Sequence, residues 1–175
     1  MEMDNNDILI RLRYALDIKD REMVQIFKLG GIEVTREEVL KLLIKTKDSY
    51  EESFESNNDM DNDNIPCDNV MLESFLNGLI IYKRGKQESG PGQTERPPLM
   101  IKGNDSVNNV LLKKLKIALK LTSEDMIEIL NDAGVIISKG ELSALLRKEG
   151  HNNYRKCGDR YARNFLKGLG IRNRS

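Results

Sequence analysis

Covalent or metal chemistry in this 175-residue chain would rest first on Cys67, Cys157 and the single histidine, His151. A thiol close to a helix N-terminus can serve as a nucleophile or redox group, because the helix dipole favours its thiolate. Acyl transfer, however, needs a base and an orienting group beside the thiol. Only His151 offers a base, and no histidine lies near Cys67 in sequence. Two cysteines and one histidine also fall short of the four ligands of a structural zinc site. Both cysteines are therefore expected to be buried structural thiols, with no catalytic residue, metal or cofactor. Asp59, Asp61 and Asp63 follow the first ligand spacings of an EF-hand loop. The glycine position of that loop holds Asn64, and the position of its bidentate glutamate holds Val70. An acidic loop is the better reading. No glycine-rich phosphate loop follows a predicted strand, so nucleotide-dependent enzymology is unsupported.

The remaining chemistry is cationic. Lys113, Lys116 and Lys120 recur at i, i+3 and i+7, opposite Leu111, Leu115 and Ala118. Arg160, Arg163 and Lys167 recur in the same way opposite Tyr161, Phe165 and Leu169. Between them lies His151-Asn152-Asn153-Tyr154-Arg155-Lys156, which adds hydrogen-bonding groups and an aromatic ring. Lysine and arginine neutralise phosphates, and a tyrosine can stack on an unpaired base.

These residues must be positioned by helices, and the helices come in two sets. Shifted by 103 residues, the sequence places Asn5-Asn6 on Asn108-Asn109, and the register holds without a gap for 40 positions. Leu12, Ala15, Met23, Ile26, Gly31, Glu38 and Leu42 fall on Leu115, Ala118, Met126, Ile129, Gly134, Glu141 and Leu145. A shift of 90 then places Cys67 on Cys157 and Phe75-Leu76-Asn77-Gly78-Leu79 on Phe165-Leu166-Lys167-Gly168-Leu169. Two ungapped registers indicate a tandem repeat, with a 13-residue insertion in the first copy.

Each copy reads as four helices. Apolar residues recur at helical spacing, as in Ile8, Leu12, Ala15 and Leu16, or Met71, Phe75, Leu76 and Leu79. Paired capping residues are expected at the helix starts: Asn6 with Asn109, Asp20 with Ser123, Thr35 with Ser138, and Asn69 with Asp159. Thr35 to Glu38 and Ser138 to Glu141 have capping-box spacing. Gly31 and Gly134 suit left-handed helix ends. Gly78 and Gly168, inside a helical pattern, suggest close helix approach, such as packing of the two lobes about a pseudo-twofold axis. No window shows strand alternation, so the fold class is all-α. The lobes span residues 4–84 and 107–172, with an acidic insertion at 47–64 and a Pro/Gly-rich linker at 85–106. Met126 to Arg147 has the outline of a helix-turn-helix with a lengthened turn, and Met23 to Ile44 repeats it, so a plain helical hairpin is expected.

The repeat separates scaffold from local chemistry. The stripe cations align with Ile10, Arg13, Asp17, Val70, Glu73 and Asn77, so five of the six charges belong to the second lobe alone. Tyr154 aligns with Asn64, whereas Tyr161 aligns with Met71 and belongs to the core. The overall charge of zero hides the same asymmetry. Residues 1–80 carry 9 basic and 18 acidic groups, and residues 107–175 carry 14 and 7. A net of −9 against +7 points to an anionic partner for the second lobe, or to one half facing the other. No apolar run approaches the roughly 20 residues needed to cross a bilayer. The N-terminal Met-Glu-Met-Asp lacks the features of a secretory signal.

Asn-Asp-Ile-Leu near the start, Arg-Tyr-Ala-Leu, Phe-Leu-Asn-Gly-Leu-Ile at 75–80, Lys-Arg-Gly at 83–85, and Tyr-Arg-Lys-Cys-Gly-Asp with Phe-Leu-Lys-Gly-Leu across 154–169 together resemble the bacterial YehS-like family, a domain of unknown function found twice per chain. The resemblance implies the same two-lobed helical fold. It implies no reaction, cofactor or catalytic residue.

The sequence thus leads to a cytoplasmic, non-enzymatic helical protein with no membrane association. Its expected partner is RNA or DNA backbone, bound by Lys113, Lys116, Lys120, Tyr154, Arg155, Lys156, Arg160, Arg163 and Lys167. The rival expectation is a protein–protein adaptor whose acidic first lobe or 47–64 loop engages a basic partner.

Overall fold

The computed structural model describes residues 4–44, 64–85, 101, 107–147 and 151–174. The EF-hand-like aspartates, nearly all of the acidic insertion and most of the 85–106 linker lie outside these residues. The described chain is all-α: α1 (Asn5–Leu16), α2 (Asp20–Leu29), α3 (Arg36–Leu42), α4 (Asn69–Arg84), α5 (Val107–Ala118), α6 (Ser123–Asp132), α7 (Lys139–Leu146) and α8 (Asp159–Arg174).

Local chemistry sets the boundaries. Thr35 and Ser138 accept from the backbone N–H of Glu38 and Glu141, whose carboxylates reach back to the N–H of Thr35 and Ser138. Both capping boxes stand as the spacing predicts. The other expected caps are displaced by one or two residues. Asp4, Thr122 and Asp68 cap α1, α6 and α4, and Lys19 precedes α2 with only Glu22 reaching back to its N–H. Asn6 and Asn109 are instead buried inside α1 and α5. α1 and α5 end alike, with Asp17 (φ 53°) and Lys120 (φ 55°) in the left-handed region. Gly31 and Gly134 take positive φ after α2 and α6, where glycine has no steric penalty.

Most of the displaced asparagines act as stitches. Asn6 donates to the carbonyls of Leu42 and Ile65 and accepts from the N–H of Cys67. Asn109 does the same with Leu145, Arg155 and Cys157. Asn5 bonds Asn69, and Asn108 bonds Asp159, each at 2.8 Å. Each half thereby ties its first helix to the segment leading into its last helix.

Core packing joins the halves. Within each half the last helix crosses its second: α4 lies on α2 and α8 on α6. A Cβ at Gly78 would sit 1.9 Å from the Ile26 carbonyl oxygen, and one at Gly168 would sit 2.1 Å from that of Ile129. The close approach expected at these glycines is real, but it lies within each half and not between the lobes. Between halves, α4 packs along α5 and α8 along α1. One continuous apolar core results, from Ile8 and Leu12 through Phe27, Phe75 and Leu111 to Phe165 and Leu169.

Each inter-half seam ends in a side chain that donates to a backbone carbonyl across it. Arg84 donates to the Ile117 carbonyl at 3.2 Å, and Asn173 donates to the Ala15 carbonyl at 2.7 Å. Their interiors differ. In the α4–α5 seam the ammonium of Lys114, only 3% exposed, lies 3.1 Å from Glu73, itself 1% exposed, and donates to Asn77 Oδ1. Glu73 also accepts from the N–H of Ile101 at 2.8 Å. Burial pushes the Lys114 ammonium below its usual range, while Glu73 opposes that shift.

Candidate nucleic-acid interface

The two cysteines are buried just before α4 and α8. Desolvation pushes each thiol up to about 12, with neighbouring Asp68 or Asp159 adding to the effect. A thiol of that kind is protonated at neutral pH and is a poor nucleophile. His151 is exposed, and its Nδ1 accepts from the Asn153 N–H at 3.0 Å. Among the described residues no group of three metal-ligating side chains converges.

The cations sort into three environments. Along α5 no continuous stripe forms. Lys113 and Lys116 are half-buried, Lys114 is buried between them, and Lys120 lies beyond the helix end in a left-handed turn. The expected i, i+3, i+7 face is lost because α5 stops at Ala118 and is enclosed on nearly all sides. In the loop before α8, Arg155 and Lys156 are exposed and Tyr154 is half-buried. The Arg155 backbone is pinned to Ala144 and Asn109. Its guanidinium lies 3.9 Å from Glu141, whose carboxyl is held below its usual range first by bonds to Ser138 and then by Arg155.

The third environment is the open face of α8. Arg160 and Lys167 are exposed and Arg163 is half-buried, while Ala162, Phe165, Leu166 and Leu169 on the other faces are buried. Tyr161 packs against the core, as its alignment with Met71 predicts. Among the described residues Arg160, Arg163 and Lys167 have no ion-pair partner, whereas Arg172 on the same helix pairs with Asp125 and Glu128 of α6. This face is a line of three cations, one per helical turn, carried on a 16-residue helix.

Two residues of α1, the helix that packs along α8, carry chemistry that uniqueness to the second half could not reveal, because they belong to the acidic first half. Arg11 of α1 is half-exposed, with its Nε 3.4 Å from Asp7 but not aligned for a hydrogen bond. Tyr14, one turn further along α1, is 68% exposed, far more open than Tyr154. Tyr14 also edges a surface cleft of about 610 Å³ beside Arg13, Arg21 and Arg36. In that cleft Asp20 lies 2.8 Å from Arg13 and 3.7 Å from Arg36, so its charge is largely balanced.

Among the described residues, eight helices and a face of the last one whose Arg160, Arg163 and Lys167 have no ion-pair partner there characterise an all-α protein. The chain belongs to the family described as protein of unknown function (DUF1456), whose model matches residues 5–85 and again 108–175. It is 39% identical over 170 residues to the uncharacterized protein YehS of Escherichia coli (strain K12), covering 97% of this chain and 96% of that protein. No solved structure matches the chain. Among the described residues no helix is long and apolar enough to cross a membrane.

Proposed function

We propose that this protein binds the phosphate backbone of RNA or DNA through the open face of α8, with Arg160, Arg163 and Lys167 as the principal phosphate-binding groups. Lys156 and Arg155 extend the cationic surface from the preceding loop, and Lys113, Lys116 and Lys120 of the same half contribute longer-range potential. On this reading it is a cytoplasmic, non-enzymatic binding protein. Its halves are two copies of one unit related by a pseudo-twofold axis.

The observation that carries the reading is the set of three cations on α8 without carboxylate partners among the described residues. Basic groups placed to stabilise a fold sit beside acids, as Lys114, Arg13 and Arg172 do here. A line of like charges facing solvent raises the local counter-ion concentration and favours a polyanion.

The test is fluorescence anisotropy with labelled RNA and DNA across a salt series, for wild type and for Arg160→Ala/Arg163→Ala/Lys167→Ala. Binding should weaken with salt. The triple variant should show a slope shallower by about 2, since each phosphate that is no longer neutralised accounts for roughly 0.7 to 0.9. Absence of binding to either nucleic acid at low salt would remove this reading. The adaptor reading would then stand in its place, tested by a pull-down with and without residues 47–64.

A further inference from the structure

The two seams between halves occupy equivalent places but hold opposite electrostatics. The register that aligns the halves places Arg11 on Lys114, Arg163 on Glu73 and Lys167 on Asn77. In the α4–α5 seam, one ammonium is satisfied by a carboxylate and an amide oxygen. At the same positions the α1–α8 seam carries a guanidinium, a second guanidinium and an ammonium. The same helices of each half build both seams, α4 against α5 and α8 against α1, and in each a side chain near the end of the last helix donates to a carbonyl near the end of the first. By that register and the packing of α1 along α8, Arg11 is the counterpart of Lys114, and Arg163 and Lys167 are the counterparts of its two partners. The counter-charge of Arg11 among the described residues is Asp7, on its own helix.

Three cations at one seam repel one another, and neither Arg163 nor Lys167 has an ion-pair partner among the described residues. An oxyanion placed between them would supply the acceptor that Glu73 and Asn77 supply on the other side. Arginine pairs suit a tetrahedral oxyanion because their N–H groups present a fixed fork. We propose that Arg11, Arg163 and Lys167 form an oxyanion site across the α1–α8 seam that takes a phosphate group, with Tyr14 beside it as a stacking platform. This rests on the backbone-binding reading and deepens it, since it moves the centre of the interface from the second half alone to the junction of both.

The experiment combines two probes. Labelled single-stranded oligonucleotide is titrated across a salt series, and thermal unfolding is followed with inorganic phosphate or pyrophosphate. The variants are Arg11→Gln, Tyr14→Ala and the exchange R11K/R163E/K167N, which rewrites this seam in the residue types of the other. Arg11→Gln should weaken oligonucleotide binding about tenfold and make the salt slope shallower by roughly 0.7 to 0.9. Tyr14→Ala should weaken binding without changing the slope. The exchange variant should abolish binding while its Tm stays equal or rises, which separates loss of the site from loss of the fold.

If wild type binds oligonucleotide and Arg11→Gln binds equally well, the seam site is overturned and the α8 reading stands. If wild type binds no nucleic acid but phosphate raises its Tm and not that of Arg11→Gln, the seam site stands for a small phosphorylated ligand and the backbone reading falls. Absence of both effects overturns both.

Discussion

Asn6 and Asn109 each use both ends of one amide to hold three backbone groups, in two buried bonds and one partly buried one. Asn109→Ala would strand the Cys157 N–H and two carbonyls, so it should cost about 3 kcal/mol. Urea unfolding checks this, and a loss under about 1 kcal/mol would count against the stitch. The adjacent thiols give a pH signature. Their folded value of about 12 lies above the 9.0 of a solvated thiol, so the folded state keeps protons that the unfolded chain releases. The resulting stability is present below about pH 9 and is lost as pH rises toward 12, by about 1 kcal/mol per thiol at pH 10. Stability measured from pH 7 to 10.5 should fall above pH 9 and fall less in a double Cys→Ser variant. In the native protein at pH 8 both thiols should resist a disulfide reagent that reacts readily in urea. The burial of both cysteines agrees with the expectation drawn from the missing base. The role of the asparagines was not: an asparagine at the start of an apolar pattern suits a cap equally well, and only the folded chain shows loop carbonyls within its reach.

At the level of helices, α2 and α4 meet backbone to backbone. Gly78→Ala gains about 1 kcal/mol in helix propensity, yet its Cβ would fall 1.9 Å from the Ile26 carbonyl oxygen, a backbone atom that cannot move aside alone. The helices must separate, opening the core around Phe27 and Phe75, whose ring centroids lie 4.9 Å apart. A net loss of at least about 3 kcal/mol, or failure to fold, is expected for Gly78→Ala and Gly168→Ala. Circular dichroism during urea unfolding decides it, and a stabilised Gly168→Ala would refute the close approach. Periodicity and the repeat sufficed to read eight helices and their order. They could not show which helix each glycine touches, because spacing along one helix does not say which neighbour packs against it. The two cationic stripes differ for the same reason. On sequence α5 and α8 look alike, but α5 is enclosed along α4 whereas α8 keeps its outer face open.

At the scale of the molecule, the buried pair of Lys114 and Glu73 joins the halves. Lys114→Ala would leave an uncompensated carboxylate in the core, costing about 3 to 5 kcal/mol, while Glu73→Leu/Lys114→Met should recover most of that loss. Thermal unfolding of the two variants side by side provides the check, and equal losses would show that the charges matter only for packing. The charge asymmetry of the sequence left open an anionic partner or one half facing the other; the pair joins one acid of the first half to one base of the second, at positions no composition could name. The interleaved seams also bear on how such a chain assembles. If the halves are copies of one unit, the monomer is a fused dimer, and every molecule must choose the right pairing over intermolecular ones. Two second halves brought together would set Lys114 of each against Arg163 and Lys167 of the other, like charge against like. Two first halves would instead match Arg11 with Glu73. The second half therefore opposes self-association and finds its charge complement in a first half.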